Sequence, residues 1–190
     1  MANSKKGKVP AFVFDVVCHI FNFDPKNALG QPGQMFNEHL YAFHQLLTRA
    51  GEPILNREQF MREWSVDEIY DMIIDDSDTD MIVAQPLPLT DLFHDGLSSW
   101  EKCAQMAKKY PDRAIFWGSV NPLEGKKALD LMTRQVEEFG AKGFKFYNVR
   151  YDYGRPFPWR MDDPRVAFPV FEHALKLGVN LGRRQCVLDT

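Results

Sequence analysis

Apolar positions fall along the chain in short runs that alternate with stripes of helical period. Val13, Phe14, Val16 and Val17 form the first run, which reads as a buried strand and stops at His19. The stretch "KNALGQPGQ" reads as a Gly/Pro/Asn loop of the kind that borders a site. From Asn37, the spacing of Leu40, Phe43, Leu47 and Ala50 predicts a helix with Gly51 as its terminator. A second helix is predicted from the capping box Ser65-x-x-Glu68, with Val66, Ile69, Tyr70 and Ile73 on one face. "DDSDTD" ends it, and "MIVAQPLPL" is a strand cut off by Pro86 and Pro88.

The same unit then recurs. Ser98-x-x-Glu101 is read as the cap of a helix carrying Trp100, Cys103, Ala104 and Ala107 on one side, and "AIFWGSV" as the strand after it. A helix from about Lys126 sets Leu129, Met132, Val136 and Phe139 in line, with Gly140 as its C-cap. "KGFKFY" is the fourth strand, "NVRYDYGRPFPWRMDD" a long aromatic loop, "FEHALKLG" the end of a helix, and "VNL" the start of a fifth strand. Strands separated by helices of this length imply βαβ units with right-handed crossovers, hence an α/β protein built on a parallel sheet. Residues 1–10 read as a solvated tail, 11–182 as one domain and 183–190 as an atypical tail. The reason is "GRRQ", which interrupts what should be an apolar strand. Either that strand is three residues long, or the tail does not continue the fold.

Composition narrows the function classes. The chain has 190 residues, 45% hydrophobic and 26% charged, enough for one well-buried core. Its net charge of −3 argues against a nucleic-acid or membrane-surface role. No apolar run is long enough for a bilayer span, and none suits a signal-peptide core. Cys18, Cys103 and Cys186 are an odd count without metal-site spacing, which suggests reduced thiols in a cytoplasmic setting. A Cys18–His19 dyad is disfavoured because neighbours on a strand point to opposite faces.

His19 poses the main question, metal ligand or polar strand cap. Chemistry in parallel α/β folds collects at strand carboxyl ends, where His19 falls. By parity Asp15, Val17 and His19 share a face, and an i, i+2 ligand pair would need a second donor where Val17 stands. On the fourth strand Lys145 and Tyr147 share one face, opposite Phe144 and Phe146. Lys145 reads either as a contact to substrate or as a lysine paired with a carboxylate. Arg150, Tyr151, Tyr153, Arg155, Trp159 and Arg160 gather in the aromatic loop. They read as a pocket wall able to hold a carboxylate, or as a proline-stiffened connection with surface arginines. His94-Asp95, after the second strand, is a second candidate site. His39, His44 and His173 read as helix histidines. "DDSDTD" lacks the Gly and Glu of a calcium loop. There is no phosphate-cradling glycine loop and no Gly-x-Ser-x-Gly elbow.

The stretches "FDVVCHIF", "TDMIVAQPLPL", "WGSVNPLEGKKALDLMTRQVEEFGAKGFKFYN" and "MDDPRVAFPVFEHALKLGVNL" resemble the amidohydrolase superfamily. The branch they resemble is the one related to aminocarboxymuconate-semialdehyde decarboxylase, and the likeness runs from Val13 to Leu181. It implies a partial (β/α)8 TIM barrel of roughly the first four to five strands with covering helices. The family chemistry is hydrolysis or non-oxidative decarboxylation of a small carboxylated substrate, with one divalent metal, commonly zinc, that acidifies a bound water. The family's Asp-x-His-x-His maps onto Asp15, Val17 and His19, which leaves His19 as the metal ligand. Taken with the pocket-wall reading of the aromatic loop, this places Lys145, Tyr147, Arg150, Arg155 and Trp159 near the substrate. In parts of the superfamily a strand-four lysine is carboxylated and bridges two metals. Later ligands belong on strands five, six and eight, and "GRRQCV" stands where one histidine is expected. The chain as given is therefore expected to be truncated and weak or inactive. Two rival readings remain, a non-catalytic α/β module that binds a small acid, and a half-barrel that pairs with a second copy.

Overall fold

The computed structural model describes residues 11–152 and 155–184, so Tyr153, Cys186 and both predicted tails, apart from Arg183 and Arg184, lie outside it. Strands β1 (Phe14–Cys18), β2 (Met81–Ala84) and β3 (Ala114–Phe116) pair in parallel in that order. Strand β4 (Gly143–Tyr147) joins them through Gly118 N–H to Gly143 O at 2.8 Å and Lys145 N–H to Gly118 O at 3.0 Å. Beyond it, β7 (Asn180–Arg184) pairs in parallel with β4 over its whole length, from Gly143↔Asn180 to Tyr147↔Arg184. The fifth strand is thus five residues long rather than three. A ladder is made by backbone amides, which the arginines supply as well as any residue.

The helices are α1 (Gly30–Leu47), α2 (Arg57–Phe60), α3 (Val66–Tyr70), α4 (Trp100–Lys109), α5 (Lys126–Glu137) and α6 (Ala167–Leu177). Ser65 and Glu68 close the expected capping box on α3, which continues as a wider turn over Asp71–Asp75. The cap of α4 is Ser99, not Ser98, whose hydroxyl is buried and accepts from Ile20 N–H at 3.0 Å. Gly178 ends α6 at φ +68°, a left-handed stop that glycine adopts without strain.

Three further expectations need correction. Val13, Phe14, Val16 and Val17 are exposed (Val16 by 55%), because β1 is the edge of the described sheet and has a partner on one side only. Cys18 and Ile20 carry the burial instead. Helix α1 begins at Gly30, inside the expected loop, and its inward stripe is Gly33, Asn37, Leu40, Tyr41 and His44. Phe43 and Leu47 therefore point outward, Leu47 with 72% exposure. Last, the aromatic loop contains an antiparallel hairpin, β5 (Val149–Asp152) with β6 (Arg155–Pro158), in register Val149↔Pro158 to Asp152↔Arg155.

The core lies between sheet and helices around Ile82, Phe93, Phe116, Met132, Phe144 and Val170. One close approach fixes the sheet's continuation. A Cβ on Gly118 would lie 2.1 Å from Gln135 Oε1 and 2.7 Å from Phe144 Cε1, so only glycine lets β3 run on to meet β4.

Candidate functional site at the strand ends

Strand β1 carries a bulge between Asp15 and Cys18, where its register against β2 shifts. The alternation that would set Asp15 and His19 on one face does not run through a bulge. The Asp15 carboxylate turns back on its own strand and accepts from Val17 N–H at 2.9 Å. Val17, at the family's first histidine position, is apolar and exposed.

His19 is half-buried at the strand end, its ring beside that of Phe21. Its Nδ1 lies 2.7 Å from the carbonyl oxygen of Gln85. A carbonyl can only accept, so Nδ1 bears the hydrogen and Nε2 keeps the lone pair. Nε2 meets Lys145 Nζ at 3.4 Å. Lys145 is 3% exposed, its carbonyl accepts from Ser119 Oγ at 2.8 Å, and its Nζ lies 5.1 Å from the Tyr147 ring centre. Ser119 is itself clamped by Gln135 of α5, whose Oε1 accepts from Ser119 N–H and whose Nε2 donates to Ser119 O, both at 3.1 Å. Residues 126 apart in sequence are thus brought into contact at one end of the sheet.

A cavity of about 860 Å³ opens beyond Pro86, Ser119 and Tyr147, lined also by Leu87, Trp100, Val120 and Arg150, while His19 and Lys145 do not themselves line it. Arg150 is tied to Asp91 at 3.0 Å. His94 and Asp95 also border the cavity. Burial pushes the nearby Glu101 carboxyl above the usual carboxylate range, and Asp95 adds to that shift. Arg155 and Trp159 do not line it. Arg155 is exposed on β6, while Trp159 is buried in edge contact with Phe146 and donates its indole N–H to Tyr147 O at 2.8 Å. Arg160 forms a bidentate pair with Asp162 at 2.8 Å on the exposed surface.

The two described thiols are buried and unsuited to act as nucleophiles. Desolvation by burial pushes Cys18 and Cys103 up to about 12, far from the thiolate range of a nucleophile. His44 accepts from Leu55 N–H, and His173 lies 2.7 Å from the Thr133 hydroxyl. Sequence reading missed Gln85, Ser119 and Gln135, the residues that orient His19 and Lys145. Gln135 had a signal, since it shares the inward stripe of α5 with Ala128 and Met132, where a polar side chain must find a partner.

The donor set tests the metal expectation. Among the described residues no three His, Cys, Asp or Glu side chains could together hold an ion, and the one implied ligand, His19, faces an ammonium. The described residues do not fit a metal centre. Nor is any described helix long and apolar enough to cross a membrane.

A family model described as amidohydrolase matches residues 14–181. Among solved structures the chain is similar to 5-carboxyvanillate decarboxylase from Novosphingobium aromaticivorans DSM 12444, solved with manganese and 3-methoxy-4-hydroxy-5-nitrobenzoic acid. The identity is 16% and the TM-score 0.55, over 94% of this chain and 52% of that one. A further structure of a 5-carboxyvanillate decarboxylase from that organism, also with manganese, aligns at 14% identity and TM-score 0.54, over 93% and 51%. The Rhizobium 2,6-dihydroxybenzoate decarboxylase aligns at 16% identity and TM-score 0.49, over 77% and 48%. No curated protein matches the chain. The likeness to solved structures is one of fold, and the chain spans about half the length of those it resembles. Helices on a parallel sheet, matching about half of the 5-carboxyvanillate decarboxylase structure, agree with the family model that covers nearly the whole sequence. The chain belongs to the amidohydrolase family.

Proposed function

We propose that the strand-end mouth of this chain binds a small carboxylated ligand, aromatic acids included, and that the reaction class is decarboxylation or hydrolysis. The observation that carries this reading is the buried Lys145 ammonium beside His19 at the strand ends, next to a cavity of about 860 Å³. An ammonium has three N–H donors in a low-dielectric setting, which favours a carboxylate partner. Asp95, Glu101 and Glu124 border the cavity and would repel a carboxylate, so the acid group belongs at the Tyr147 side, on the strand that carries Lys145, and the apolar body against Leu87 and Val120. The cations in the wall itself are Lys102, paired with Glu63, and Arg150, paired with Asp91, and Tyr147 stands between Arg150 and Lys145 on the chain. Arg155 then acts from the rim, and Trp159 by holding the Tyr147 backbone. The nitrobenzoic acid held by the 5-carboxyvanillate decarboxylase supports this ligand class. A divalent metal would supply Lewis acidity in the whole family fold. The solved 5-carboxyvanillate decarboxylase structures contain manganese, whereas our expectation is zinc. No step is routed through a metal here, because no three His, Cys, Asp or Glu side chains among the described residues could together hold one.

The test is a spectrophotometric titration with 3-methoxy-4-hydroxy-5-nitrobenzoic acid, whose nitrophenol reports binding. Wild type is expected to saturate, Lys145→Met to bind at least about tenfold more weakly, as loss of a charge-assisted hydrogen bond implies. Arg160→Ala should bind like wild type. Equal binding by wild type and Lys145→Met would overturn the assignment.

A second reading is favoured by the exposed apolar edge. Val13 with Phe14, Val16 and Val17 of β1, and Phe43, Leu46 and Leu47 on α1, present a strand edge that has no partner among the described residues and an apolar helix face. Such edges are normally covered or paired, and a second copy would cover them. Sedimentation velocity should then show a compact dimer that Val16→Lys dissociates. A monomer at every concentration would exclude self-pairing.

A further inference from the structure

We infer that Lys145 and a divalent cation compete for one lone pair, that of His19 Nε2, so that in this chain a lysine occupies the approach a metal would need. The imidazole has two nitrogens and one is already committed. Nδ1–H donates to Gln85 O at 2.7 Å, and Gln85 is fixed in turn, its own N–H donating to Cys18 O at 2.8 Å and its side-chain amide to Val16 O at 2.7 Å. Rotating the ring to offer Nδ1 instead would strand that buried carbonyl. Coordination therefore has to use Nε2.

Nε2 is the atom that Lys145 Nζ addresses at 3.4 Å. A metal bonds imidazole nitrogen at about 2.0–2.1 Å along the same lone pair. An ion placed there would sit between the two nitrogens, in contact with a positive ammonium. One lone pair serves a proton donor or a metal, not both.

Lys145 cannot step aside cheaply. It is 3% exposed, and its backbone is held on both sides, N–H to Gly118 O at 3.0 Å and C=O from Ser119 Oγ at 2.8 Å. Its Nζ also stacks over Tyr147. Metal binding at His19 would require the ammonium to leave a buried position or to lose its charge, and either cost falls on the apparent metal affinity. His19 and Lys145 compete in this way whether or not the mouth holds a carboxylate. Loss of ligand binding and loss of this competition are therefore separate results.

The experiment is a Mn²⁺ titration of the whole chain, labelled at histidine, following paramagnetic broadening of each ring resonance. His39, exposed on α1, serves as the internal surface standard. In wild type the His19 ring signal is expected to persist until His39 broadens. In Lys145→Met it should broaden at Mn²⁺ concentrations at least tenfold lower than in wild type, while Lys145→Arg, which keeps the cation, should retain protection. The His173 signal, set by its contact to Thr133, reports that each variant is folded. Broadening of wild-type His19 ahead of His39, or an unchanged midpoint in a folded Lys145→Met, would overturn the competition. Should Lys145→Met not fold, the wild-type order of broadening decides alone.

Discussion

Replacing Gln135 by leucine is expected to destabilise the protein by roughly 2–5 kcal/mol, the cost of two buried backbone groups left without partners. Gln135 is fully buried on α5 and spends its whole amide on one residue, accepting from Ser119 N–H and donating to Ser119 O. Leucine has similar volume, so the change isolates the hydrogen bonds from the packing. Against a total stability of about 5–15 kcal/mol, the loss is a large fraction. The effect should reach the mouth as well, because Ser119 Oγ donates to Lys145 O and helps to set the ammonium against His19. Urea denaturation should show the midpoint falling with an unchanged slope. A variant within about 0.5 kcal/mol of wild type, the range of ordinary surface substitutions, would mean that Ser119 finds other partners and that the clamp is dispensable.

How far the mouth can be read without coordinates depends on whether each signal is local. The helix stops at Gly140 and Gly178 were legible because a left-handed φ leaves a residue-type mark, and both glycines do adopt positive φ. The Ser65–Glu68 box was legible for the same reason. Burial of β1 was not, since an apolar run looks the same in a central strand and at an edge, and only pairing decides. The hairpin was hidden by Pro156 and Pro158, which break a strand pattern in sequence but are tolerated on an edge where no N–H is required. Strand-end position marked His19, and parity marked Lys145 and Tyr147 as neighbours on β4. No local rule could bring His19 to Lys145, a contact made only when the sheet closes β1 and β4 around β2 and β3. Trp159 read as a pocket wall because aromatic residues cluster in that loop. Its indole N–H instead found a buried carbonyl, and the ring followed it into the core.

Gly118→Ala should be the next most damaging single change, and its cost should depend on Gln135. The new methyl would arrive 2.1 Å from Gln135 Oε1 and 2.7 Å from Phe144 Cε1. Phe144 is fully buried and cannot retreat, so overpacking of about 1–3 kcal/mol is expected. Gly118 also holds the seam of the sheet, its N–H on Gly143 O and its carbonyl under Lys145 N–H, so relief by backbone movement would separate β3 from β4. Shortening the neighbour by Gln135→Ala removes the nearer obstruction and leaves the ring. In that background the alanine at 118 should cost less, giving a coupling of roughly 0.5–3 kcal/mol between the two sites. Strict additivity in the double-mutant cycle would show that Phe144 alone sets the limit. Coupling together with weakened nitrobenzoate binding would instead tie the packing at this seam to the placement of Lys145. The same methyl-sized space would then govern both the closure of the sheet and the chemistry at its mouth.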